Sequence, residues 1–209
     1  MKSLFFLFNI FITTLVFSQD SIVDYYNEIA TKAEYVAKGD INHVPTRWNS
    51  DIKIFVKGSP DSLIYSELNK VIKELNDLIN PIEIRIVNCE TDANLIAFFG
   101  LCTDYDKIDP IVIPYSGYNF GLACLYSDNN NTWYKGSFYV DVVRCDWFPP
   151  NEAIQMKKHI LREELTQSIG LLNDSMKYPN SIFYQGWTFP TEYTELDKEV
   201  IKRHYNQKN

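Results

Sequence analysis

Between Pro149 and Gly186 the chain gathers side chains that can do ligand or proton chemistry at helical spacing. His159, Glu163 and Gln167 are four residues apart and share one face of an α-helix; Glu164 lies about 100° round from Glu163. Asn173 and Asp174 follow just past Gly170. One imidazole with oxygens from Glu163, Gln167 and Asp174 would make a mixed site for a divalent transition metal. Glu164 would serve as a general base, alone or with Asp174 as the second acid of a glycosidase-like pair. In a third arrangement nothing reacts. His159 is then a surface residue that pairs with Glu163 only when protonated, and Glu164 and Gln167 hydrogen-bond the Ser181 to Gln185 turn. The set is poor in the imidazole and thiolate that zinc prefers, so the third arrangement is favoured. No Ser-His-Asp or Cys-His arrangement and no glycine-rich phosphate loop offers another chemistry.

The helix that carries these residues starts at the Pro149-Pro150-Asn151-Glu152 corner. Its apolar positions, Ile154, Leu161, Leu165, Ile169 and Leu172, recur at three-, four- and seven-residue spacing and predict a buried stripe that ends at Gly170. Upstream, Ile22 to Lys38 predicts an amphipathic helix ended by Gly39-Asp40, and Leu63 to Ile79 a second one, stopped by Asn80-Pro81. Ile52 to Val56, Ile82 to Val87 and Asn94 to Phe99 read as strands. Strand, helix, strand in succession makes these neighbours parallel. Leu122 to Tyr126 and Gly136 to Val143 flank Asp128-Asn129-Asn130-Asn131 and predict an antiparallel hairpin. Leu101 to Gly121, with Asp104 and Asp106, is expected to be a solvated loop rather than a calcium site, for the glycine and closing glutamate of a calcium loop are missing.

Residues 1–18 have one lysine, an apolar run from Leu4 to Phe17 and Ser18 before Gln19, the pattern of a secretory signal peptide. With Lys2 removed, 19 Lys and Arg face 27 Asp and Glu, a net charge of −8. Phosphate repels such a chain, which argues against nucleic acid as a partner. Cys89, Cys102, Cys124 and Cys145 in an exported chain predict two disulfides; Cys102 with Cys145 is preferred because both follow the ends of neighbouring parallel strands. His43 and His204 complete no constellation.

The helix frame resembles the H-E-x-x-H-x-x-G-x-x-H pattern of metzincin metallopeptidases, followed there often by Asp. The general-base position falls on Glu164, the glycine on Gly170 and the trailing acid on Asp174, while the three zinc-ligand positions are Glu163, Gln167 and Asn173. Ser181-Ile182-Phe183-Tyr184-Gln185-Gly186 looks like the turn beneath zinc in that clan, with Phe183 at the methionine position. Asp92 to Phe99 resembles its central strand, and Thr194 to Tyr205 its closing helix. The chain thus resembles a degenerate metzincin-like domain, similar to a family of secreted bacterial proteins of unknown function with a Glu-Glu-x-x-Gln-x-x-Gly-x-x-Asn-Asp helix.

The resemblance implies an α+β, zincin-like fold: a mostly parallel twisted sheet of about five strands with one antiparallel edge strand, two core helices and a C-terminal helix. Residues 48–209 would form this domain, after a signal peptide (1–18) and a helix with lead-in (19–47). It further implies a vestigial site of Glu163, Gln167, Asn173, Asp174 and Tyr184, with no cofactor. The protein would be an exported pseudo-peptidase, periplasmic, surface-bound or secreted, that binds an extended peptide, a protein or a glycan along the edge strand. The alternative is a hydrolase with Glu164 as base, aided by a second acid or by zinc or another divalent ion at His159, Glu163, Gln167 and Asp174. With the signal peptide cleaved, no membrane span is expected.

Overall fold

The computed structural model describes residues 19–33 and 44–206. Residues 1–18, where a signal peptide is expected, and Gly39-Asp40 and His43 lie outside the described residues. Helix α1 spans Gln19–Ala30, residues 31–33 are no longer helical, and the rest of the expected helix, residues 34–38, lies outside the described residues. The Thr31 hydroxyl donates to the Asn27 carbonyl at 2.5 Å, beside the Thr31 amide at 3.0 Å. A threonine that back-bonds the preceding turn in this way bends a helix and weakens its continuation.

Strands β1 (Arg47–Trp48) and β2 (Ile52–Gly58) follow, then α2 (Ser62–Asn76). The Asp61 side chain accepts from the Ile64 amide and caps α2 at its N-terminus. Strands β3 (Ile84–Ile86) and β4 (Leu95–Phe99) return parallel to β2, as the crossover pattern requires. After the short helices α3 (Cys102–Tyr105) and α4 (Ile113–Ser116) come β5 (Gly121–Ser127) and β6 (Thr132–Val140). Helices α5 (Val142–Cys145), α6 (Pro150–Gln167) and α7 (Glu195–Asn206) complete the order.

The sheet has six strands in the order β1-β6-β4-β2-β3, with β5 also paired to β6. All pairs are parallel except β5–β6, so the single antiparallel strand expected from the hairpin is present. The strand beyond the expected five is β1, whose two residues are too few to carry an alternation.

Alternation along β4 and β6 divides the interior in two. Ala97, Phe99, Phe138 and Val140 face the main core shared with α1, α2, α6 and α7; Phe98 and Tyr139 face a second cluster with Tyr105, Val112 and Leu122. The segment between β4 and β5, expected to be a solvated loop, therefore covers the second face of the sheet. A polar chain pins it there: Tyr105 bonds Ser137 at 2.8 Å, and Asp109 accepts from Ser137 at 2.7 Å and Tyr126 at 2.5 Å. Asp104 is paired with Lys107, and Asp106 accepts from Ser116.

The two predicted disulfides are absent: all four cysteines are free thiols. Cys102 lies in the second cluster and Cys145 in the main core, because the chain turns to different faces after β4 and β6. Burial pushes the thiols of Cys124 and Cys145 up to about 12, so both stay protonated and act as small core hydrophobes.

Candidate functional site

Helix α6 is buried on more than its apolar stripe. Leu161, Leu165 and Ile169 are in the core, but Ile154, expected with them, is 40% exposed, and Ala153, Met156 and Ile160 face inward instead. On the side facing α2, Arg162 is wholly buried, bonded to Glu74 and, at 3.2 Å, to Glu67, with its guanidinium over the Tyr193 ring. The remaining face carries His159, Glu163, Glu164 and Gln167 into a cleft of about 200 Å³.

Three segments close that cleft: α6, residues 118–121 leading into β5, and residues 184–189. Glu164, 5% exposed, stands against the start of β5, so a Cβ at Gly121 would fall 2.5 Å from its Oε1 and 2.3 Å from Ile160 Cγ2. Only a glycine admits this approach of strand to helix. Gly170, at φ +114°, ends the turn after α6 in a conformation costly for any side chain and lets the chain double back beneath the cleft.

Asp174 and Tyr184 reach the site through an isolated parallel bridge between Ser175 and Tyr184, made by Ser175 N–H to the Phe183 carbonyl (2.8 Å) and Gln185 N–H to the Ser175 carbonyl (3.2 Å). Asp174 Oδ1 then accepts from the Gln167 amide at 3.0 Å. The 181–185 turn is not held by Glu164 and Gln167, as expected, but from behind. Asp197 on α7 accepts from Ser181 Oγ (2.5 Å) and the Ile182 amide (3.3 Å), and Tyr25 on α1 bonds Ser181 at 2.9 Å. Phe183 is fully buried beneath.

His159 is not a surface residue. It is 5% exposed, its Nδ1 lies 2.9 Å from the Pro190 carbonyl, and its Nε2 is 3.4 Å from Glu163 Oε2. A carbonyl only accepts, so Nδ1 carries the proton and Nε2 presents a lone pair. Burial, helped by the Arg162 cation and opposed by the Pro190 carbonyl, lowers its pKa to about 4. The imidazole is therefore neutral at pH 7 and forms no ion pair with Glu163. His204, on α7, is likewise buried, with a pKa lowered to about 3 by desolvation and the nearby Arg47 cation.

Of the residues singled out in the sequence, His159, Glu163, Glu164, Gln167, Asp174 and Tyr184 line one cleft. Asn173 does not: its amide donates to the Asp174 carbonyl at 2.6 Å and its backbone N–H to Ile29 of α1. A metzincin zinc does not fit these positions. Its third ligand would be the diverted Asn173, its second a glutamine that offers only a neutral amide oxygen where zinc prefers imidazole or thiolate, and among the described residues no three His, Cys, Asp or Glu converge as metal ligands.

Pattern reading missed the aromatic wall of the cleft. Trp187, 66% exposed, lies 5.1 Å from Phe189 and 6.1 Å from Phe120 between ring centroids, and Phe189 lies 5.7 Å from the His159 ring. The alternation Trp187-Thr188-Phe189 beside a glycine was its only local signal; nothing near Phe120 pointed to the same place.

The fold is similar to that of myroilysin: a crystal structure of that protein is matched at 12% identity over 92% of this chain and 98% of the other, with a TM-score of 0.50. A second structure of myroilysin is matched at 13% identity over 78% and 97%, with a TM-score of 0.48. Archaemetzincin from Methanopyrus kandleri is matched at 10% identity over 75% and 97%, with a TM-score of 0.43. At such identities the likeness is one of fold, and the fold is zincin-like, with a mostly parallel six-stranded sheet. No curated protein matches the sequence. A family model covers residues 19–208, and the chain belongs to that family, described as "Protein of unknown function (DUF2927)".

Proposed function

We propose that this protein is an exported binding domain that holds an extended peptide along β5, over the cleft of α6, without cutting it. One observation carries the reading. β5 pairs with β6 on one side only, no other strand flanks it among the described residues, and its first residue, Gly121, abuts Glu164 in the cleft. An unpaired strand edge offers alternating N–H and C=O groups to an incoming chain, and side-chain pockets beside it add selectivity. Export is supported by the signal-like run from Leu4 to Phe17. The lost histidines and the diverted Asn173 favour binding over zinc-dependent hydrolysis.

Hydrogen exchange tests the binding reading directly. A bound peptide should slow exchange in residues 121–127; protection confined to other elements would sink it. Mass spectrometry of the same peptides, incubated with and without zinc, tests for turnover. Cleavage abolished by Glu164→Gln would replace the binder with a hydrolase that uses Glu164 as base.

A further inference from the structure

The side of the cleft formed by residues 118–121 is held by a side chain that does not itself line the cleft. Arg144, on α5, donates from Nη1 to the Gly117 carbonyl at 2.9 Å and from Nη2 to the carbonyls of Ser116, at 3.3 Å, and Asn119. Its guanidinium lies 4.8 Å from the centre of the Phe120 ring. Arg144 is gripped in turn from below. Asp141, wholly buried just past β6, caps α5 by accepting from the Arg144 amide at 2.8 Å and also takes its Nε at 2.6 Å.

Three carbonyls of one turn thus point at one group, and each needs a donor. The Tyr139 hydroxyl approaches two of them, Ser116 at 2.8 Å and Asn119 at 2.7 Å, but it has a single proton. A guanidinium presents five N–H donors in a rigid plane and serves all three carbonyls and Asp141 together, while its face lies on Phe120; a lysine ammonium is a point charge on a flexible stem.

That turn sets two parts of the site. The Phe120 ring packs 6.1 Å from Trp187 in the aromatic wall. The Phe120 carbonyl accepts from the Asp141 amide at 2.7 Å, which faces it toward β6. Backbone groups alternate in direction along a strand, so Gly121 is the first residue to turn its N–H and C=O away from β6, to the outer edge, and it does so against Glu164. We infer that Arg144 is the positioning residue of the cleft: from outside it, the guanidinium fixes both the Phe120 wall and the place where the β5 edge begins. This rests on the reading that a peptide lies along β5; the two ideas can fail separately.

The test uses the whole protein after removal of any signal peptide. Arg144→Ala and Arg144→Lys are compared with the parent by hydrogen exchange and by the indole N–H resonance of Trp187, assigned with Trp187→Phe. Ethylguanidinium, which supplies what the alanine variant lacks beyond Cβ, is titrated into each. In both variants the 116–121 amides should exchange at least about tenfold faster relative to those of α2, the factor carried by one hydrogen bond to a charged group. The Trp187 resonance should move in both, and ethylguanidinium should return it to the parent position in Arg144→Ala but not in Arg144→Lys. A peptide that protects residues 121–127 of the parent should bind both variants at least about tenfold more weakly. A lowered melting temperature with Trp187 and the relative exchange of 116–121 unmoved would make Arg144 merely structural and overturn the inference. So would a lysine variant that matches the parent, or equal peptide affinity in all three proteins. Arg144→Lys carries the same arms if Arg144→Ala does not fold. If no peptide protects residues 121–127 even in the parent, the binding reading falls, and the Trp187 and exchange arms still decide for or against Arg144.

Discussion

Helical periodicity placed His159, Glu163 and Gln167 on one face, and the structure keeps them there, lining one cleft. The same spacing could not say what each would meet. His159 owes its state to a carbonyl 31 residues away, and Asn173, past the end of the helix where periodicity lapses, was turned toward α1. Arg162, one residue from the stripe, is the clearest residue-scale test. Its buried guanidinium serves Glu67 and Glu74 together. Removing one partner strands the others, so Arg162→Ala should cost about 3–5 kcal/mol in urea unfolding. Arg162→Met, which fills the space without charge, also strands Glu67 but should cost less. Equal losses in the two variants would show that packing volume counts for nothing there.

Among the elements, β5 and α7 carry the site. Gly121→Ala would set a methyl group 2.3 Å from Ile160 and 2.5 Å from Glu164, parting the strand from the helix. Overpacking of this kind costs about 1–3 kcal/mol. A thermal melt unchanged from the parent would show that β5 has slack at this position. At the start of α7, Asp197 accepts from the Thr194 amide and hydroxyl at 2.8 and 2.7 Å, and its own N–H donates to Thr194 Oγ1 at 3.1 Å. That reciprocal cap also holds Ser181 beneath the cleft. Thr194→Ala should therefore lower stability by about 1 kcal/mol and raise exchange of the 181–185 amides as well as those of α7. Loosening of α7 alone would separate the cap from the turn. The closing helix was expected from its resemblance to the last helix of metzincins, whereas its grip on the turn was not legible, because Ser181 and Asp197 are joined only by the fold.

For the whole molecule, two consequences follow from what is buried. The folded pKa values of His159, about 4, and His204, about 3, lie below the unfolded value near 6.5. Their neutral burial contributes fully above pH 6.5 and is lost as pH falls toward the folded values. Each then costs about 3 kcal/mol by pH 4. The charged neighbours matter: Glu163 faces His159, Arg162 and Arg47 add to the depression, and Asp197, raised by burial, acts in the opposite sense at the acid end. The urea midpoint should fall between pH 6.5 and 5, before ordinary carboxylates titrate. A flat profile over that range would mean that both imidazoles can be protonated in place. The free thiols set the second consequence. Reductant should leave the melting temperature unchanged, and protein purified without reductant should titrate four thiols when unfolded. A lower count would restore a disulfide.

The sequence by itself determined the parallel crossover, the hairpin and the helix face that holds the acids, which follow from periodicity and from local turn and cap chemistry acting over a few residues; the zincin-like frame was implied by motif resemblance. Tertiary structure alone decided the rest. It brought Phe120, Trp187 and Phe189 together as a wall, folded residues 101–121 over the second face of the sheet, and sent Cys102 and Cys145 to different cores. It also set the protons of His159, since burial and a distant carbonyl, not any neighbour in sequence, fix which nitrogen faces Glu163.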